Sequence, residues 1–432
     1  MLKTFTLKNG IKVATYNLPQ LKSVYLHITV KGGNLLENSQ NNGVAHFMEH
    51  ILVQGIPSYP TAEGLSWFIE SCSGRYQAMT HTTSIDFNIT VPFNHLEQAL
   101  QIASQVFFAP LFPEEAIEKE RRVVISEINE RKDASWYKRA EFFRKVRFQE
   151  KHPLTLDGGG SLEVVKNLQR QDLVGFWEKY FTTGNTYLLI TGNFLYTNLK
   201  KLIKKYLEEV SPKERDNFPD LSNQDFSGRQ VAIREDNALQ LIYLDLTSPA
   251  LSLADSLRER VILNLALVIF GRLRNSRLFK LLRYQKGLVY DVSAGANLYP
   301  GLGYIYISSQ VLYEHLDEVL TIICQEVENF VKFGLTEEEL EFARNFLINQ
   351  WLMSFDHPNN IAGWILQDLF WEKSIQLPEY YISLVKKIKL SDVKKVMKKH
   401  WGFGKLNLTL QGPIKNSKEN IKKYSRILEN LK

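Results

Sequence analysis

The chain repeats itself. The segment from Asp172 to Gly192 aligns without a gap on the segment from Asp392 to Gly412, placing Asp172 on Asp392, Phe181 on Trp401, Gly184 on Gly404, Leu188 on Leu408 and Gly192 on Gly412. Each copy reads as a helix, a short turn and an alternating strand. Pro113-Glu114-Glu115 pairs with Thr336-Glu337-Glu338 at nearly the same offset, about 220 residues. A chain of 432 residues is too long for one ordinary core and suits two domains of about 200 residues each. The expected fold class is therefore α+β, as two duplicated halves, each a mostly antiparallel sheet packed with helices. The expected division is 1–212, a polar linker over 213–229, a second domain over 230–415, and a Lys-rich helical tail over 416–432.

The chemistry concentrates in residues 46–50, His-Phe-Met-Glu-His. Histidines four apart on a helix project from one face, one turn above the other, so both rings can grip one divalent cation. Glu49 is rotated about 100° from His50 and can sit beside a metal without ligating it, as a general base for water must. The bland alternative is a pair of ordinary helix histidines. Gly43-Val44-Ala45 before the motif and Ile51-Leu52-Val53 after it are apolar, and a buried helix has no need of such a run for solubility. The order H-x-x-E-H is that of the inverted zincins.

A catalytic zinc site usually has three protein ligands and an open position. Residues 114–132 read as an amphipathic helix with Pro113 at its start, Glu114 and Glu115 in its first turn, and Arg131 and Lys132 in its last. Glu120 and Glu127 share a face with Ile117 and Val124. A carboxylate on an apolar stripe calls for a partner, and a metal and its surroundings would supply one. The alternative is that both acids face solvent with Glu118 and Glu130.

His46-x-x-Glu49-His50 followed by Glu127 resembles the pitrilysin and insulysin family of inverted zinc peptidases, especially the short branch that includes mitochondrial processing peptidase and its bacterial relatives. The likeness extends to Leu7–Val13, which is similar to the family's first hairpin, and to Glu120–Glu127, similar to its second metal helix. It covers roughly residues 1 to 415. The resemblance implies Zn2+ on His46, His50 and Glu127, Glu49 as base, and Glu120 as the acid that orients a ligand. It implies half of a clamshell chamber, closed as a homodimer or as a heterodimer with a paralogous subunit. From the second half it implies that Arg283 and Tyr290 approach the reacting carbonyl, within a helix that ends at Gly287 and passes into a strand. The bland alternative is an ordinary last-turn Arg and a strand Tyr. Opposite Glu127 stands Gln350 and opposite Glu120 stands Ala343, so the second half is expected to hold no metal.

Residues 74–92 read as two strands after a helix over 61–71. The resemblance makes the first an edge strand that pairs with extended peptide substrate through Gln77 and Ala78. The chain departs from the family here, with Gln77 for the usual Asn, and Ser84 and Phe87 where a Glu and a Tyr are usual. His81 is a lone histidine, for which simple exposure is the commoner state and a ring turned toward the site the alternative. Gly158-Gly159-Gly160 is followed by no Gly-Lys-Ser/Thr and so is no phosphate loop; a flexible connector is expected.

Composition excludes little more. Hydrophobic residues at 44% and charged residues at 23% are ordinary for a globular protein. A net charge of +6, owed partly to Lys415, Lys418, Lys422 and Lys423, reads as a solvated helix face rather than a nucleic-acid patch. No apolar stretch reaches membrane-spanning length, and the start reads as strand rather than a targeting segment. Two distant cysteines, Cys72 and Cys324, imply no disulfide framework. The expectation is a cytoplasmic zinc endopeptidase acting on unfolded peptides, with a non-catalytic or partner-dependent peptide-binding subunit as the alternative.

Overall fold

The structure is a computed structural model that describes residues 2–148, 152–214, 218–219, 221, 229–372, 374–401 and 405–429. The expected linker, 213–229, lies largely outside the described residues. The chain forms two compact units. Unit 1 is Met1–Ala134, Leu156–Pro219 and Ser354–Ile375; unit 2 is Ser135–Thr155, Asp220–Met353 and Gln376–Lys432.

Unit 1 is built on a six-stranded sheet of β1 (Leu2–Thr6), β2 (Lys12–Asn17), β3 (Ser23–Lys31), β4 (Arg75–Thr80), β5 (Ser84–Pro92) and β6 (Thr186–Gly192), in the order β1-β2-β6-β3-β5-β4. Only β2 and β6 run parallel; the other pairs are antiparallel. Unit 2 has β7 (Gln230–Glu235), β8 (Ile242–Pro249), β9 (Val289–Tyr299), β10 (Leu302–Val311) and β11 (Asn407–Gly412), in the order β7-β11-β8-β10-β9. Again one pair, β11 with β7, is parallel. Removing β1 makes the two orders the same, strand for strand. The duplicated α+β architecture is thus present in both sheets.

The repeated residues have physical reasons. Asp172 and Asp392 each accept a hydrogen bond from the backbone N–H three residues earlier, at 2.7 Å from Gln169 and 2.9 Å from Lys389, closing matching boxes at the starts of helices Arg170–Tyr180 and Leu390–His400. Gly192 and Gly412 end the matching central strands with positive φ, 123° and 154°. A Cβ would stand 2.5 Å from the Ser23 carbonyl oxygen in the first case and 2.6 Å from that of Leu241 in the second. Both glycines are required where strand backbones close up.

β6 is buried on both faces. Its alternate residues divide between two cores. Leu188 and Ile190 join the main apolar core with Phe47, Met48, Phe87 and Val124; Tyr187 and Leu189 pack with Ile361, Ala362, Ile365 and Phe370. Those last four residues lie on helix Pro358–Trp371, which follows helix Glu337–Ser354 in the second copy. The corresponding helix of the first copy, Ser135–Arg147, belongs to unit 2. There Arg139 grips the buried Asp245 of β8 through two hydrogen bonds, at 2.8 and 2.6 Å. Each copy therefore contributes one helical segment to the other's unit, where the sequence suggested contiguous halves. Local periodicity reports that a helix exists and is silent about which sheet receives it.

The C-terminal segment also differs from expectation. Helix Lys418–Glu429 is no appended tail: it matches helix Tyr196–Ile203 of the first copy in following the central strand, and it buries Tyr424 and Leu428 within unit 2. Its lysines occupy only the outer face. No helix among the described residues is long and apolar enough to cross a membrane.

Candidate metal centre

Helix Val44–Ile51 buries Val44, Phe47, Met48 and Ile51 in the core of unit 1. Anchoring that stripe leaves His46, Glu49 and His50 on the remaining face. Helix Glu114–Asp133 lies against it, seated by Ile117, Val124 and Ile128, with Arg121 over the Phe47 ring. Arg121 also donates to the carbonyls of Val165 and Leu168, each at 2.6 Å, tying the next helix to the pair.

The two helices bring five of the expected residues together. Nε2 of His46 is 3.4 Å and Nε2 of His50 is 3.8 Å from the same oxygen of Glu127. The imidazoles stand nearly perpendicular, 5.0 Å apart, and ligand atoms of His46, Glu49 and His50 all lie within 4.8 Å of one another. Glu120 is buried and lies 3.0 Å from Nδ1 of His50, its other oxygen accepting from Gln54 at 3.0 Å. Glu120 and Glu127 thus face the histidines, whereas Glu118 pairs with Arg121 at the surface.

The hydrogen bonds fix the imidazole tautomers. Nδ1 of His46 is 3.1 Å from the carbonyl oxygen of Gly159, which can only accept, so Nδ1 carries hydrogen and Nε2 keeps its lone pair. The Glu120 carboxylate acts in the same way on His50. Burial lowers the pKa of His46, and the neighbouring His50 lowers it further, favouring the neutral ring. Two imidazole nitrogens with free lone pairs converging on a carboxylate oxygen form a donor set that fits zinc.

Sequence reasoning missed the supports. Glu37, on the loop before the helix, accepts from the Ala45 N–H and from Asn42, both at 2.8 Å, satisfying a first-turn amide. Burial pushes its carboxyl up to about 7. The Gly158–Gly160 run is packed rather than a flexible connector. Gly160 has φ +100°, and a Cβ there would stand 2.6 Å from the Cα of Gly43, itself at φ +111°. This glycine-to-glycine contact delivers the Gly159 carbonyl to His46. The tripeptide was the available signal.

Gln77 and Ala78 lie on β4, the last strand of its sheet, Gln77 exposed and Ala78 partly buried. Phe87 is core and Ser84 is buried on β5. Arg283 and Tyr290 lie in unit 2, where the guanidinium sits 5.0 Å over the Tyr290 ring. Gly287, with φ +65°, ends the intervening helix as expected, and Tyr290 is 77% exposed.

Two histidines and three glutamates, His46, Glu49, His50, Glu120 and Glu127, thus gather on two helices of unit 1. Residues 12–153 match the family model described as Insulinase (Peptidase family M16), and residues 167–347 match the model described as Peptidase M16 inactive domain. The chain belongs to peptidase family M16. A Rickettsia felis protein described as an uncharacterized zinc protease is 25% identical over 81% of this chain and 82% of its own length. The Mitochondrial-processing peptidase subunit beta of Caenorhabditis elegans is 28% identical over 48% of this chain and 44% of its own. Among solved structures, a protease from Helicobacter pylori has the same fold, with a TM-score of 0.85 at 17% identity, covering 96% of this chain and 99% of that one.

Proposed function

We propose that this chain is a zinc-dependent endopeptidase that cleaves unfolded peptides bound as an added β-strand. The observation that carries the reading is the convergence of both histidine Nε2 atoms on one Glu127 oxygen, with each Nδ1 held from behind. His46, His50 and Glu127 would hold Zn2+, which when bound supplies Lewis acidity toward water and the peptide carbonyl. Glu49 accepts the proton of the attacking water on a carboxylate oxygen and returns it to the leaving amine. Glu120 keeps the Nδ1–H of His50 engaged, so its Nε2 remains a donor pair. The free edge of β4 offers Gln77 and Ala78 for strand addition. Arg283 and Tyr290 contribute donors to the substrate backbone and to the developing oxyanion, within one chain or from a second one in a homodimer or heterodimer. Cys72 and Cys324 are free, in keeping with a cytoplasmic setting.

The test measures zinc content and cleavage of a quenched unfolded peptide by the purified chain. Glu49→Gln should retain zinc and lose about 10²- to 10⁴-fold in kcat. Equal turnover by wild type and Glu49→Gln would falsify the role of Glu49. The second reading, a non-catalytic or partner-dependent peptide-binding subunit, is favoured by the likeness to a processing-peptidase beta subunit. It predicts bound zinc with no turnover until a paralogous chain is added.

A further inference from the structure

Between β4 and β5 the chain turns at His81. The backbone of this turn is tied down on three sides: Thr80 Oγ1 donates to the Ala45 carbonyl at 3.1 Å, the His81 N–H donates to the Ser84 carbonyl at 2.8 Å, and the His81 carbonyl accepts from the Asn34 N–H at 3.3 Å. Gly33 permits the last approach, since a Cβ there would stand 1.9 Å from the His81 oxygen. Thr80 thus attaches the end of the edge strand to the residue just before His46.

The His81 ring is fixed as well. Its Nε2 lies 3.3 Å from Oδ2 of Asp86, which is buried; Nε2 of His27 lies 3.3 Å from the same oxygen, and Thr29 donates to the other at 2.5 Å. Burial alone would raise the Asp86 pKa, but bonds from His27, His81 and Thr29 hold its carboxyl well below the usual range. The Asp86 hydrogen bond raises the His81 pKa against the effect of burial. Nδ1 of His81 has no partner among the described residues, and the side chain is 52% exposed. A buried carboxylate thus holds the Nε2 edge of an imidazole and leaves Nδ1, at the opposite edge, open three residues beyond Ala78; on the protonated ring that nitrogen is a second donor.

We propose that His81, held by Asp86, contacts the substrate beside the metal centre and selects peptides that carry a carboxylate side chain close to the scissile bond. A glutamate or aspartate there accepts a charge-assisted hydrogen bond from Nδ1–H of the His81 imidazolium, whose charge Asp86 balances from the other edge. A lysine or arginine meets a like charge. This inference rests on the peptidase reading and on peptide addition to β4.

The test is a set of unfolded peptides in which Glu, Gln or Lys is walked through each position around the cleaved bond. Affinity is read by fluorescence anisotropy on the zinc-loaded Glu49→Gln protein, and cleavage positions are read on the wild type. At one position Glu should bind about three- to fivefold more tightly than Gln, the scale of a half-exposed ion pair, with Lys weakest. His81→Gln should bring the Glu-to-Gln ratio to about one, and Asp86→Asn should reduce it. Binding and cleavage with no Glu preference, or a preference that survives His81→Gln, overturns the assignment and leaves the peptidase reading standing. A protein that neither binds nor cleaves any peptide overturns both.

Discussion

The two units share a scaffold and differ in what the scaffold encloses. In unit 1, helix Val44–Ile51 turns two histidines and a glutamate toward Glu120 and Glu127. In unit 2, helix Leu257–Leu267 buries Val261, Ile262, Leu263, Leu265 and Ala266; the residue matching Glu120 is the fully buried Ala343, and that matching Glu127 is the exposed Gln350. What both copies keep are backbone devices, the paired helix-start aspartates and the positive-φ glycines that end the central strands. These devices serve the fold and persist whatever the pit contains. The side chains of the pit are free to change, because an apolar filling satisfies packing as well as a ligated polar one does.

The comparison can be broken by perturbing one copy at a time. The largest effect is expected from His50→Ala, which should abolish both zinc retention and turnover, measured by metal analysis and peptide cleavage. Glu120→Gln comes next. By loosening the orientation of His50 it should weaken zinc binding about 10- to 100-fold while leaving the melting temperature of the metal-free protein near wild type. A competition titration with a chelator reads the change, and unaltered affinity would remove Glu120 from the site.

The matched pair Gly192→Ala and Gly412→Ala sharpens the duplication itself. Each should cost about 1–3 kcal/mol of stability, read by urea unfolding. A large inequality between them would show that the two copies no longer use the position alike. The smallest effect concerns Glu37. Its carboxyl is raised by burial from 4.5 to about 7, so between those values the folded protein holds a proton that the unfolded chain has released. Stability from this group is therefore full below pH 4.5 and declines as pH rises through about 7. Urea midpoints at about pH 5 and about pH 7.5 should differ less in Glu37→Gln than in wild type; an unchanged difference would refute the assignment.

How much was legible in the sequence follows from the range of each interaction. His46, Glu49 and His50 lie within two turns of one helix, so spacing alone places them on one face. Periodicity put Glu120 and Glu127 on one face of a second helix but left solvent as the alternative, and it was the resemblance that singled them out. The copies were visible because the residues they retain, Asp172 with Asp392 and Gly192 with Gly412, act on backbone within a few residues or at a strand end. The Gly159 carbonyl behind His46 was hidden, since a backbone acceptor has no residue type and its position depends on a contact between residues 43 and 160. The Asp86–His81 pairing was hidden because it spans a turn whose shape Gly33 sets from another segment. The exchanged helices, Ser135–Arg147 and Pro358–Trp371, look the same in sequence wherever they dock.

That exchange has a consequence for how the protein is made. The face of β6 that carries Tyr187 and Leu189 is covered only when Ile361, Ala362, Ile365 and Phe370 arrive, and Lys31 donates to the carbonyl of Phe370. On the ribosome, the sheet of unit 1 is therefore exposed on one side until most of the chain has been synthesised. Truncated products ending between the copies should remain unfinished rather than fold as small autonomous domains. Nascent chains are themselves unfolded peptide, and a peptidase of the kind proposed, maturing only near the end of its own translation, has little opportunity to digest them.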